Sequence, residues 1–132
     1  MRRFAAVTAL AVLVVAGLSC GKDPVGPQPG TLLVRLTTPN SGADSAIALT
    51  ITGPAALTSA TAGPGLRLFQ QPLGGTTTRF ALTGTLNANA TMLTIGVTDV
   101  GQVSQYSGTI QGVAQPNYQL RSLTGYSLAV TR

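Results

Sequence analysis

Apolar and polar side chains alternate with a period of two in five short runs spread over residues 31–132, and no other feature of the sequence constrains the fold as tightly. In "TLLVRLT", Leu32, Val34 and Leu36 point one way while Leu33, Arg35 and Thr37 point the other. "SAIALTIT" sets Ile47, Leu49 and Ile51 against Ala48, Thr50 and Thr52, and "RFALT" sets Phe80 and Leu82 against Arg79, Ala81 and Thr83. "MLTIGVT" repeats the pattern with Leu93, Ile95 and Val97, and "YSLAVT" with Tyr126, Leu128 and Val130. Successive side chains of a strand leave on opposite faces, so each run describes a strand with one buried face.

Turn-forming clusters separate the runs: "TTPNSGADS" at 37–45, "TGPAALTSATAGPG" at 52–65, "QPLGG" at 71–75 and "TDVGQ" at 98–102. Weaker runs, "GLRLF" at 65–69, "QYSGTIQGV" at 105–113 and "NYQLRS" at 117–122, complete a set of seven or eight short strands. Turn signals about every ten residues predict an all-β domain over 31–132, a small antiparallel β-sandwich, with a closed barrel as the alternative. Glu, His, Trp, Lys and Cys are absent from this segment, and no stretch supports a helix. A transmembrane barrel is disfavoured, because its strands need about 9–11 residues and aromatic girdles. These runs are shorter and the chain has no Trp.

The first thirty residues follow different rules. Met1-Arg2-Arg3 supplies a positive start, and Phe4 to Ser19 carries no charge and is rich in Ala, Val and Leu. That is the pattern of an export signal, short for a membrane span of about 20 residues. Ala16-Gly17-Leu18-Ser19-Cys20 contains the single cysteine and resembles the lipobox of bacterial lipoproteins, with Gly17 where that family most often has Leu. The resemblance implies diacylglycerol on the Cys20 thiol, cleavage between Ser19 and Cys20, and acylation of the new amino group. An ordinary secretory signal, satisfied by the small residues Gly17 and Ser19, would cut at the same bond and leave Cys20 free. One acyl chain binds a membrane marginally, whereas two or more anchor it. The expected organisation is therefore a signal peptide at 1–19, a lipidated cysteine and Pro/Gly-rich tether at 20–30, and the domain at 31–132. "GKDPVGPQPG" favours extended geometry and reaches about 30 Å at roughly 3.1 Å per residue. Lipoproteins kept in the inner membrane of enteric bacteria carry Asp after the cysteine; here that place is Gly21, which favours the outer membrane, on a periplasmic or surface face left open.

The inventory of reactive groups is small. With no His and no Glu in the chain, and with Cys20 assigned to the lipid, the carboxylates of the domain are Asp44 and Asp99. Both sit in turn signals, "GADS" and "TDVG", where Asp caps nearby backbone amides. A Ser-His-Asp triad is excluded, and neither zinc nor calcium finds its cluster of ligands, so no enzyme, metal or cofactor is expected. Arg35, Arg67, Arg79, Arg121 and Arg132 are scattered singly, whereas nucleic-acid binding wants a clustered basic patch. They are expected as solvated residues that keep sheet edges apart, or as weak attractors of anionic headgroups. Tyr106 and Tyr118 are the pair expected to face a ligand; Tyr126 and Phe80 fall on apolar faces.

"SAIALTITGP" and "SQYSGTIQGVAQPNYQLRSLTGYSLAV" resemble the strand pattern of cohesin-like and other immunoglobulin-like sandwich modules of exported bacterial proteins. The resemblance implies a fold and carries no functional residue. The sequence thus leads to a membrane-anchored envelope lipoprotein with a non-catalytic domain. That domain is expected to dock an envelope protein through a sheet edge or through the loops at 37–45 and 52–65. The alternatives are a barrel carrying an apolar ligand and a glycan-binding module.

Overall fold

A computed structural model describes residues 26–132, so Ser19, Cys20 and the signal segment lie outside the described residues. The chain forms eight strands in two antiparallel sheets packed face to face. The first sheet holds β1 (Gly30–Thr37), β3 (Ser59–Ala62), β6 (Thr91–Val97) and β8 (Ser127–Thr131), in the order β3-β6-β1-β8. The second holds β2 (Asp44–Thr52), β4 (Arg67–Gly74), β5 (Thr77–Leu86) and β7 (Ser107–Ala114), in the order β4-β5-β2-β7. Two separate sheets make this a sandwich and set the closed-barrel alternative aside.

The order is nested: β1 lies beside β8, β2 beside β7, β3 beside β6 and β4 beside β5. The run β2-β5-β4 and the pair β3-β6 occupy the places of strands B-E-D and C-F in an immunoglobulin domain. β1 departs from that order by sitting beside β6, which leaves the place next to β2 to β7.

The alternation dictates the core. Leu32, Val34 and Leu36 of β1 face Leu93 and Ile95 of β6 on one sheet, and Ile47, Leu49 and Ile51 of β2 face Phe80 and Leu82 of β5 on the other. All are buried, each contributing about 1.5–3 kcal/mol of transfer free energy, and these side chains fill the space between the sheets.

Several segments depart from expectation. β3 forms inside the predicted loop at 52–65, where "SATA" alternates only in small residues, Ala60 and Ala62 inward and Ser59 and Thr61 outward. Its register comes from β6, where Ser59 pairs with Gly96 and the Thr58 amide donates to the Gly96 carbonyl at 2.9 Å. A Cβ on Gly96 would overlap the Thr58 and Ser59 hydroxyls, so glycine there admits the strand. β4 continues through "QPLG" and turns where Gly74 and Gly75 take φ of 101° and 59°, a region open to glycine. "NYQLRS" forms no strand and makes one isolated bridge, Leu120 to Ala114. A 3-10 helix, Val100–Gln105, follows Asp99 where a plain turn was expected. The folded unit also reaches further back than residue 31: β1 starts at Gly30, and the Val100 amide donates to the Gln28 carbonyl at 2.9 Å.

Candidate interaction surface

Antiparallel register fixes what each sheet presents to solvent. Across the first sheet one outward row runs Thr61, Thr94, Leu33, Thr131. Across the second sheet the corresponding row runs Phe69, Ala81, Ala48, Gly112. The next row is Arg67, Thr83, Ala46, Ala114, and the one on the other side is Gln71, Arg79, Thr50, Thr109. The second sheet therefore carries a flat floor of Ala and Gly, with Phe69 standing at its β4 border and Leu120 against its β7 border.

The two borders are finished differently. Beyond β7 the chain doubles back: the Arg121 amide donates to the Val113 carbonyl at 2.8 Å and the Gln115 amide to the Gln119 carbonyl at 2.9 Å. A half-buried polar cluster centred on the buried Asp44 holds this strap. Arg121 Nε donates to Asp44 Oδ1 at 2.7 Å, the Tyr126 hydroxyl donates to Asp44 Oδ2, and Asn40 Nδ2 donates to the Tyr126 hydroxyl at 2.8 Å. Asp44 was expected to cap a turn; it is 2% exposed and serves instead as the buried counter-ion of Arg121. Asp99 does take the local role, accepting from the Gly101 amide at 3.0 Å, and also receives the Gln28 amide at 3.3 Å. The two carboxylates share no partner.

Nothing among the described residues covers β4. Phe69 is 54% exposed and Leu73 45% exposed, on an eight-residue strand whose outer edge meets solvent. Where β3 and β4 part, a cleft of about 220 Å³ opens between the sheets, lined by Leu57, Ser59, Gln70, Pro72 and Thr78, with Phe80 beneath. No charged side chain lines it.

The tyrosine pair does not assemble. Tyr106, expected on the surface, is 4% exposed and belongs to the core. Its ring lies against Gly53, where any Cβ would overlap it, and its hydroxyl has no hydrogen-bond partner. Tyr118 is 91% exposed at the tip of the strap, in a left-handed conformation with φ of 68°. The two thus form no common platform. Tyr126 lies half-buried and Phe80 fully buried, on the apolar faces expected for them. Among the described residues no group of three metal-ligating side chains occurs.

No protein-family model matches the chain, and no curated protein matches it. The chemistry of the surface therefore rests on its own residues. Phe69 is the residue that sequence reasoning passed over. Its signal was present in "GLRLF", where Leu68 takes the inward position and Phe69, between Arg67 and Gln71, the outward one.

Proposed function

We propose that this chain is an envelope lipoprotein, anchored through acyl chains on Cys20 and most at home in the outer membrane, whose domain is a non-catalytic docking module. The observation that carries the docking is the uncovered β4 edge, with exposed Phe69 and Leu73 beside an Ala/Gly face. An edge strand presents a row of free backbone donors and acceptors, and an extended segment of a partner satisfies them while its side chains choose the register. The loops proposed from sequence as docking sites are shorter in this reading, since residues 59–62 of one of them belong to a sheet. A non-catalytic role is supported by the use of both domain carboxylates in structure, Asp44 against Arg121 and Asp99 as a cap. The apolar-carrier alternative loses support because side chains fill the interior.

A second reading is favoured by one observation. The β3/β4 cleft offers the Thr78 hydroxyl and the Gln70 amide, with no charged side chain in its lining, chemistry suited to a neutral glycan. Titrating the protein with neutral oligosaccharides while following Gln70 and Thr78 by NMR separates the two: unmoved signals leave docking through β4.

Two measurements test the main proposal. The mass of the mature N-terminal peptide should carry acyl groups on Cys20, and Cys20→Ala should release the protein from membranes. An unmodified thiol would end the anchored reading. Photo-cross-linking from position 69 in intact cells should capture protein, whereas the same probe at Thr61 on the first sheet should not. Equal capture at both positions would remove β4 as the dock.

A further inference from the structure

We infer that the β4 edge seats a second copy of this chain, in a twofold dimer that joins the two β4 strands antiparallel with Phe69 opposite its own counterpart. The inference rests on the reading of β4 as the docking edge, and it names the occupant.

Symmetry narrows the possibilities first. A twofold axis that lays β4 beside another β4 must stand perpendicular to the sheet, which keeps outward side chains on the outward face of both copies. Directly opposed residues of an antiparallel pair share a face. The axis must then pass midway between a residue and its own counterpart, and not level with the bond between two successive residues, so the candidate centres are the residues of β4 themselves.

The sequence of β4 then selects one of them. Centring on Arg67 opposes two guanidinium groups, a like-charge pair that destabilises a ladder. Centring on Leu68 leaves three residues, 67–69, paired within the strand. Centring on any residue from Gln70 to Leu73 draws Pro72 into the ladder, where proline has no amide to donate, and centring on Gly74 leaves a single pair within the strand. Centring on Phe69 pairs Arg67 with Gln71 and Leu68 with Gln70, and repeats both pairs across the axis. That register uses five residues, Arg67 to Gln71, opposes no like charges and leaves Pro72 just outside. The incoming Arg67 lies one full strand away from Arg79, which faces Gln71 on the β5 side. Two strand spacings are about 9.6 Å, near the roughly 8–10 Å screening length of physiological salt.

Packing agrees with the hydrogen-bond register. The 54% exposed Phe69 rings meet across the axis, where aromatic cross-strand pairs are among the favourable ones. The outward row then continues unbroken as Gly112, Ala48, Ala81, Phe69 and the same residues in reverse, through one eight-stranded sheet. The other edges are less suited to this. β3 has four residues and β8 five, and the strap covers the end of β7. Arg67, expected as a residue that keeps edges apart, here acts against wrong registers and tolerates one.

Cysteine cross-linking in the full chain, with Cys20→Ser so that the introduced thiol alone reports, tests the register directly. Opposed Cα atoms lie about 4.5–5.5 Å apart, within the 4.4–6.8 Å that a disulfide spans. Phe69→Cys should give a disulfide dimer on mild oxidation, at about ten times the yield of Gln71→Cys, whose counterparts stand roughly 14 Å apart at about 3.4 Å per residue. Combining Arg67→Cys with Gln71→Cys in one chain should restore the dimer. A yield from Phe69→Cys no greater than from Gln71→Cys, or than from Thr83→Cys on the neighbouring strand, overturns the proposal. Phe69→Lys separates this from the broader reading. If Phe69→Cys fails to self-link yet Phe69→Lys abolishes capture of a different envelope protein, the docking edge stands and the second copy falls. If neither substitution changes anything, both fall.

Discussion

The two edges of the second sheet face the same hazard and meet it in opposite ways. β7 is roofed at its end by residues 115–121, which return along it and are fastened by a buried ion pair. β4, equally long at eight residues, keeps its outer edge open, with Pro72 near one end and Arg67 at the other. An open edge is a template for further strands, and proteins usually blunt it. The contrast shows that the one buried carboxylate among the described residues goes to closing β7, through an arginine 77 residues away, while β4 is left able to pair.

The largest way to break the contrast is to unfasten the roof. Asp44→Ala leaves the Arg121 guanidinium without its counter-ion and strips the Tyr126 hydroxyl of its acceptor. Removing one partner of a buried pair costs about 3–5 kcal/mol, since the remaining charge stays desolvated. Arg121 is 23% exposed at its side chain, which favours the lower end of that range. For a domain of this size the melting temperature should fall by roughly 12 °C or more. Amide exchange at Arg121 should accelerate together with it, because that amide closes the strap onto Val113. A melting temperature within about 2 °C of the parent would mean that the cluster does not hold the strap.

Tyr126→Phe is the milder version. It deletes one hydroxyl that donates to Asp44 and accepts from Asn40, while keeping the ring and the ion pair. About 1–2 kcal/mol of destabilisation is expected in chemical denaturation, with the slope unchanged. A loss as large as that of Asp44→Ala would mean that the tyrosine, and not the ion pair, carries the roof.

How much of this was legible in the sequence depends on distance along the chain. β1, β2, β5, β6 and β8 could be read because each alternates within itself, as in Leu32, Val34 and Leu36, and in β1, β2 and β5 burial follows that alternation. β3 was hidden because the alternation of "SATA" is carried only by the small residues Ala60 and Ala62, and the pairing that makes it a strand comes from Gly96, more than thirty residues away. "NYQLRS" misled for the opposite reason, since Leu120 is 77% exposed and serves as the lip of a strap. Asp44 looked like turn chemistry in "GADS"; its real partner, Arg121, follows from the antiparallel return of the chain along β7 and from nothing local. Tyr106 sat among polar neighbours in "SQYSG" and looked exposed, but the end of the 3-10 helix turns it inward onto Gly53. Chemistry that is local to a strand was readable, and chemistry that joins two edges was not.

Two glycines sharpen the difference between the faces of β7. Gly108 looks inward, where a Cβ would lie 2.7 Å from Leu128 Cδ1, so Gly108→Ala should destabilise by about 1 kcal/mol. Gly112 looks out onto the Ala floor, where a Cβ meets nothing within 4 Å. Gly112→Ala should stabilise by about 0.4–1 kcal/mol, chiefly by restricting the unfolded chain. Opposite signs in thermal melts support the assigned faces. Equal signs would mean that β7 does not keep its register across the bulge between Ala48 and Leu49.

The smallest effect on stability belongs to β4 and is the most informative about it. Phe69→Lys alters a side chain that is 54% exposed on an edge, so at a dilution where the parent is monomeric its stability should change by no more than about 0.5 kcal/mol. Association is another matter, because the substitution sets two ammonium groups opposite one another at the centre of the inferred ladder, about 5 Å apart. Sedimentation at low salt should therefore show the parent chain as a dimer and Phe69→Lys as a monomer. Raising the salt toward 1 M, where screening extends over only about 3 Å, should bring back part of the association by weakening the repulsion. Recovery of that kind points to charge at the twofold axis, whereas a variant that stays monomeric at every salt concentration has lost the apolar contact of the rings. A variant that dimerises as the parent does, at low salt, places the contact somewhere other than β4.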